Sequence, residues 1–198
     1  MTYPNKPAET NLPINDLIKN RWSPRLFADK TIEPEKINCL FESARWAPSS
    51  RNDQPWQYYY ATKNNPDGFN KLFSLMKEPN QVWAKTADML VLVFARKNFT
   101  YNNQSNYNCV YDVGAATGFL VLEAENQGLR AHQMIGIDLE KTYEAVGLSK
   151  NEYEVMAMIA LGYPATDEQL QTQDAEFIKR ELEVRTRKEL NAVAIELK

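Results

Sequence analysis

The stretch from Glu33 to Trp46 places Ile37, Leu40, Phe41 and Ala44 at i, i+3, i+4 and i+7, a core-facing helical stripe. Pro34 suits its first turn, Thr31 or Glu33 can cap it, and Trp46 with Pro48 ends it. Ile14, Leu17 and Ile18 mark a shorter amphipathic helix from Pro13 to Asn20. Phe69, Leu72, Phe73 and Met76 mark another that stops near Pro79. The longest helical pattern runs from Val110 to Gln127, with Gly128 as its C-cap. On it Gly114, Ala115 and Gly118 leave a smooth flank that lets another backbone approach closely. Short apolar runs read as strands: aromatic Trp56 to Ala61, and Met89 to Phe94, whose continuity predicts a central strand covered on both faces. Arg130 to Met134 and Glu154 to Leu161 are two more, the second closed by Gly162-Tyr163-Pro164. Between them Asp138 is placed to cap a helix from Leu139 to Val146. A charged helix carrying Leu170, Phe177 and Leu182 follows. The apolar tail Ala192–Leu197 could add an edge strand, to itself or to a partner.

Composition adds bounds. A chain of 198 residues, 43% apolar and 25% charged, is expected to form one globular domain over residues 1–198. Its net charge of −3 gives no reason to expect nucleic acid or an anionic membrane as partner. No apolar run approaches the roughly 20 residues of a membrane span, and Met1–Pro7 lacks a signal-peptide core, so the cytoplasm is the expected compartment. Cys39 and Cys109 both fall in helical patterns and are expected as buried free thiols rather than a bridge.

The chemistry concentrates in the stretch Ala47-Pro48-Ser49-Ser50-Arg51-Asn52-Asp53-Gln54-Pro55-Trp56. Two prolines bracket small and polar residues, so the backbone is stiff and its polar groups are free for something outside the segment. It serves either as a helix-to-strand connector or as a binding loop. In Arg21-Trp22-Ser23-Pro24-Arg25, two guanidiniums flank a hydroxyl and could converge on an anion. Taken alone, that motif reads as a solvated basic turn. With a single histidine, His132, a His-rich metal site is excluded; G-x-S-x-G, P-loop and G-x-G-x-x-G motifs do not occur. An enzyme with this inventory needs a bound cofactor to supply its reactivity.

Six pieces in order resemble the FMN-dependent nitroreductase family: Arg21-Trp-Ser-Pro-Arg25, Arg45-Trp-Ala-Pro-Ser-Ser50 through Asn52-Asp-Gln-Pro-Trp56, Asn80-Gln-Val-Trp-Ala84, Asp112-Val-Gly-Ala-Ala116, Gly128-Leu-Arg-Ala-His-Gln-Met-Ile-Gly136 and Ala160-Leu-Gly-Tyr-Pro164. The likeness spans roughly residues 12 to 190, and its ordered set turns the arginine motif from a solvated turn into an anion grip. The resemblance implies an α+β fold with a mostly antiparallel sheet flanked by helices. It further implies an intertwined homodimer with FMN at the interface and a C-terminal tail that crosses to the other subunit.

By position, the resemblance assigns Arg21, Trp22, Ser23 and Arg25 to the cofactor's phosphate and ribityl chain, with Arg185 and Arg187 closing from the C-terminal segment. Trp22 stands where relatives often carry a smaller or basic residue. Pro48, Ser49, Ser50 and Asn52 match the loop that lines the flavin, partly from the partner chain, and Asn80 matches a side chain at the pyrimidine edge. Gln133, Met134, Ile135 and Gly136 match the turn whose backbone N–H, from Ile135 or Gly136, faces flavin N5, so no catalytic side chain is implied. Relatives often have proline or a second glycine in that turn. His132 reads either as a proton donor near the flavin or as a strand residue bonded through one ring nitrogen, and the second fits better because N5 does not need it. Phe99–Tyr107 is the expected flap over the site, and Tyr58-Tyr59-Tyr60 is expected to pack on the sheet. The implied activity is electron transfer by ping-pong from NADH or NADPH to a small-molecule acceptor, a nitroaromatic or quinone. The alternatives are a flavin storage or sensing protein with little turnover, and a flavin-free dimerisation module.

Overall fold

The computed structural model describes residues 1–197. Strands β1 (Trp56–Thr62), β2 (Met89–Arg96), β3 (Arg130–Met134) and β4 (Tyr153–Gly162) form an antiparallel sheet in the order β1-β2-β4-β3. The continuous apolar run of β2 has the expected cause. Met89, Val91, Val93 and Ala95 enter one core cluster while Leu90, Leu92 and Phe94 enter the other, because successive side chains leave opposite faces. Ile159 and Leu161 of β4 face the first core, Met158 and Ala160 the second. A bulge between Val93 and Phe94 leaves Met156 of β4 without an opposite number.

Helices α2 (Pro34–Arg45) and α5 (Cys109–Asn126) cover the first face. Leu40 and Ala44 meet Val113, Ala116 and Leu120 there, all at most 1% exposed. The second face is covered by α3 (Pro66–Ser74), α4 (Glu78–Ala84) and α6 (Leu139–Val146), through Phe69, Leu72, Trp83 and Ala84 with Tyr143 beside them. The short α1 (Asp16–Asn20) leads into the arginine turn, and α7 (Asp167–Gln171) and α8 (Ala175–Leu182) follow β4. This is the α+β arrangement, a sheet flanked by helices, that the resemblance implies. No helix of the described residues is long and apolar enough to cross a membrane.

Several expectations are corrected. Pro79 does not end a helix; it lies in the first turn of α4, where its missing N–H costs nothing. The charged C-terminal helix is two, because the capping box of Thr166 and Gln169 starts a separate short α7 and Asp174 caps α8 anew. The first helix begins at Asp16, capped by Asn15, rather than at Pro13. Glu33 holds the cap position of α2, but its carboxylate makes no capping bond and accepts from the Tyr163 hydroxyl instead. Both cysteines are free, yet Cys39 is exposed, since it lies off the Ile37–Leu40–Ala44 stripe. Among the described residues the tail adds no strand; a single turn, Leu190–Ala192, is its only regular structure there, and Leu190, Val193, Ile195 and Leu197 are exposed. The tyrosines of β1 do pack on the sheet and its helix, Tyr60 against Phe41 at 4.9 Å and Tyr59 against Phe94 at 5.9 Å between ring centres.

Candidate functional site

The turn after α1 brings charge together. Arg21 donates to the Ser23 hydroxyl at 3.3 Å. Burial holds its guanidinium below its ordinary pKa, and the positive charges of Arg185 and Arg187 push the same way. Arg185 is lowered too, by burial and then by Arg187. It is tied down by bonds to the Lys6 carbonyl and, at 3.0 Å, to the Lys19 carbonyl. The counter-charge that acts on both, Glu125, is already engaged with Arg130 at 2.8 Å. Two partly desolvated guanidiniums, Arg21 and Arg185, thus stand with the exposed Arg187 beside one pre-paired carboxylate, an arrangement that favours a multivalent oxyanion.

Trp22 is buried. Its ring lies 6.0 Å from that of Tyr3, with the Lys6 ammonium 4.2 Å above it, so this side chain anchors the turn to the N-terminal segment. Pro24 offers its carbonyl to His132 Nδ1 at 2.8 Å. A carbonyl only accepts, so the proton sits on Nδ1. Burial lowers the His132 pKa, with Arg25 and Arg21 adding to it against the Pro24 bond, which keeps the ring neutral near pH 7. Its other support is the indole of Trp83, 4.4 Å away. That geometry matches the strand-residue reading of His132, bonded through one ring nitrogen.

One helical turn before Trp83, Asn80 donates to the Gly136 carbonyl at 3.1 Å, and the Lys77 amide donates to the same oxygen at 2.9 Å. A Cβ at position 136 would stand 2.4 Å from Asn80 Nδ2, so glycine is what lets the two segments touch. The turn's own amides are different: among the described residues, neither the Ile135 nor the Gly136 N–H donates to any group. Gln133 is exposed at the sheet edge, and Met134 is half-buried against the second core. From the arginines to this turn, the candidate residues line up along β3, a length of about 17 Å at strand rise. Beside Ile135 opens a groove of about 530 Å³ lined by Tyr107, Cys109, Val110 and Met156 among others.

The Pro48–Asn52 loop lies elsewhere. Arg51, Asn52 and Gln54 take left-handed φ values of 53°, 53° and 51° without a glycine among them. That backbone is held from outside by the Ser50 N–H bond to the buried Asp112 carboxylate at 2.9 Å, and within the loop by the Gln54 N–H bond to Ser49 Oγ at 3.0 Å. Asp53 is clamped by Arg96 at 3.0 Å and by the amide and hydroxyl of Thr100. The expected flap Phe99–Tyr107 is therefore attached to this loop. Asp112 opens α5 and Glu125 nearly closes it, thirteen positions and about 20 Å along the axis. The loop also precedes β1, and the arginines adjoin β3, at opposite edges of the sheet. One chain brings Arg21, Ser23, Arg25, Arg185, Arg187, Asn80 and Gly136 to one edge and leaves Pro48, Ser49, Ser50 and Asn52 beyond the other, at the corner far from the arginines and beside the first turn of α5, where Asn108 and Asp112 hold Ser50.

The nitroreductase family model matches residues 18–74 and 61–163, which include the arginine turn, the loop, Asn80 and the Gln133–Gly136 turn. The chain belongs to the nitroreductase family. It is similar to a crystal structure described as an oxidoreductase containing FMN, with a TM-score of 0.88, 31% identity, and coverage of 100% of this chain and 98% of that one. It shares 41% identity over 49 residues with the nitrobenzene nitroreductase of Ectopseudomonas oleovorans, 25% of this chain and 22% of that protein. With the chloronitrobenzene nitroreductase of Comamonas testosteroni it shares 30% over 81 residues, 33% of this chain and 36% of the relative. These two matches span about a fifth and a third of the relatives' lengths. Arg185 and Arg187 fall outside the matched family residues, and their place beside Arg21 comes from the geometry alone.

Sequence reasoning missed Tyr3, Glu125 and Glu181, and gave Trp83 and Arg130 no role beyond their place in the quoted motifs. Glu181 left one trace, a carboxylate four positions after Phe177 on the same face of a helix.

Proposed function

We propose that this nitroreductase-family chain is an FMN-dependent oxidoreductase, using NADH or NADPH to reduce a small electron-poor acceptor such as a nitroaromatic or quinone. The observation that carries the reading is the guanidinium cluster at one end of β3, with Arg21 and Arg185 partly desolvated, and two unused backbone donors at the other. Residues of this kind suit a molecule with a dianionic phosphate at one end and a ring bearing hydrogen-bond acceptors at the other. Arg21, Arg185, Arg187 and Ser23 would hold the phosphate, and Asn80 with the Ile135 and Gly136 amides would orient the ring. Bound FMN would supply the two-electron chemistry in both half-reactions. Fixed amide donors favour developing charge at the edge they face without reorganising, so no side-chain acid or base is required. Neutral His132, its Nδ1 proton engaged, contributes rigidity to the turn. The groove beside Ile135, with Val110, Val155 and Met156 in its lining, is of ordinary size for a planar apolar ligand and can take donor and acceptor in alternation.

The working unit is a homodimer in this proposal. The far-corner loop then meets the β3 site of a second copy, so each flavin is held by both chains. Support comes from the outer face of α5, where Tyr111 is 80% and Phe119 44% exposed, and nothing lies within 4 Å of a Cβ added at Gly114 or Gly118. The apolar tail, unpaired in its own chain, is available to cross over. The test is the visible spectrum of the purified protein, followed anaerobically while NADH and then NADPH are added. An oxidised-flavin spectrum that bleaches and recovers with a quinone supports an oxidoreductase. A flavin spectrum that neither nucleotide bleaches contradicts it in favour of a storage protein.

A further inference from the structure

The turn that carries Arg21, Ser23 and Arg25 belongs to no strand or helix, yet its backbone is held at each step by a side chain from a different element. His132 of β3 takes the Pro24 carbonyl, and Thr86 Oγ1 accepts from the Phe27 amide at 3.3 Å. Between these, both oxygens of Glu181 accept from the Arg25 amide, at 3.1 and 3.0 Å. The Tyr3 hydroxyl stands 3.0 Å from both Glu181 Oε1 and the Leu26 carbonyl, so its single proton is shared between the carboxylate and the turn.

Glu181 sits where its own helix disfavours it. It lies in the last turn of α8, at the negative end of the helix dipole, and is 1% exposed. Among the described residues it has no ion-pair partner within 4.0 Å. A buried carboxylate in that position persists because hydrogen bonds compensate its desolvation, and the bonds go to the arginine turn and to the phenol that also touches it. The N-terminal segment completes the clamp. Lys6 donates to the Glu183 carbonyl at 3.0 Å and covers Trp22, and its own carbonyl receives Arg185.

We propose that Glu181 and Tyr3 are a positioning pair for the cofactor phosphate. Glu181 fixes the backbone from which Arg21, Ser23 and Arg25 project, and Tyr3 locks Glu181 to that backbone. The N-terminal segment thereby belongs to the site. This rests on the FMN reading above, with the pair acting on the phosphate end alone.

The test separates phosphate grip from general stability by titrating the full chain with FMN and with riboflavin, which lacks the phosphate, and following flavin fluorescence. Removing one bond to a charged group predicts an FMN affinity about tenfold weaker in Glu181→Gln and about threefold weaker in Tyr3→Phe. Riboflavin affinity should stay at the wild-type value in both, so the preference for FMN over riboflavin falls by the same factors. Preference equal to wild type in both variants overturns the proposal, as does a proportional weakening of both flavins, which signals a merely structural role. Tyr3→Phe gives the answer alone if Glu181→Gln does not fold. Wild type that binds neither flavin is a different result: it contradicts the cofactor reading and removes this inference with it.

Discussion

Arg21 is the residue on which the charge argument turns. Its guanidinium is partly desolvated among like charges and bonds a hydroxyl rather than a carboxylate, so an oxyanion ligand gains more from it than from a surface arginine. Arg21→Ala is expected to weaken FMN binding by about ten- to a hundredfold, the value of a charge-assisted bond, read by flavin titration. Its thermal midpoint without flavin should rise, because a destabilising like charge is gone. Gly136→Ala probes the other end. The added methyl displaces the Asn80 amide and should cost about 1 kcal/mol, the net worth of one hydrogen bond, in urea denaturation. In an Asn80→Ala background the same change should cost almost nothing. His132 is held with a lowered pKa, so the unfolded chain takes up its proton first as pH falls. Its contribution to stability is thus complete above an ordinary imidazole pKa of about 6.5 and is lost below it, down to the lowered folded value. The thermal midpoint of wild type should exceed that of His132→Gln by more at pH 7 than at pH 5.

At the level of elements, what the sequence made legible was local and periodic. β3 and α6 lie at the expected residues, Arg130–Met134 and Leu139–Val146, because the first is bounded by Gly128 and the second carries its own cap in Asp138. α4 was hidden because a proline both ends and begins helices, and which role Pro79 takes depends on Trp83 finding the core beside His132. The arginine motif was legible as a grouping within one turn, but the approach of Arg185 and Arg187 depends on Lys6 and Lys19 carbonyls far away in the chain. The strained loop was legible by its residue types and not by its anchors. No local pattern says that Ser50 will find Asp112, the residue that fastens the loop to α5. Asp112→Ala should therefore lower stability by about 1–3 kcal/mol through the stranded Ser50 amide, measured by urea denaturation. It should also weaken flavin binding although Asp112 is about 20 Å along α5 from Glu125 and the arginines.

For the whole molecule, the decisive fact is the diagonal split of the candidate residues. The arginines and the Ile135–Gly136 turn lie along β3, while Ser49, Ser50 and Asn52 lie beyond the opposite edge of the sheet. The strongly exposed Tyr111 and tail residues Val193 and Ile195 describe a chain with surface to cover. A C2 dimer satisfies both features at once, because the same two patches meet twice. The central claim is then that one flavin is held by two copies, and subunit mixing tests it most directly. One variant carries Arg21→Ala with Arg187→Ala, the other Ser50→Ala with Asn52→Ala, and each alone should bind FMN poorly. After unfolding and refolding together, half the dimers are mixed and each has one intact site, so about one quarter of wild-type flavin binding should return. Mixtures that bind no more FMN than the separate variants would contradict the shared site and place the whole flavin pocket within a single chain.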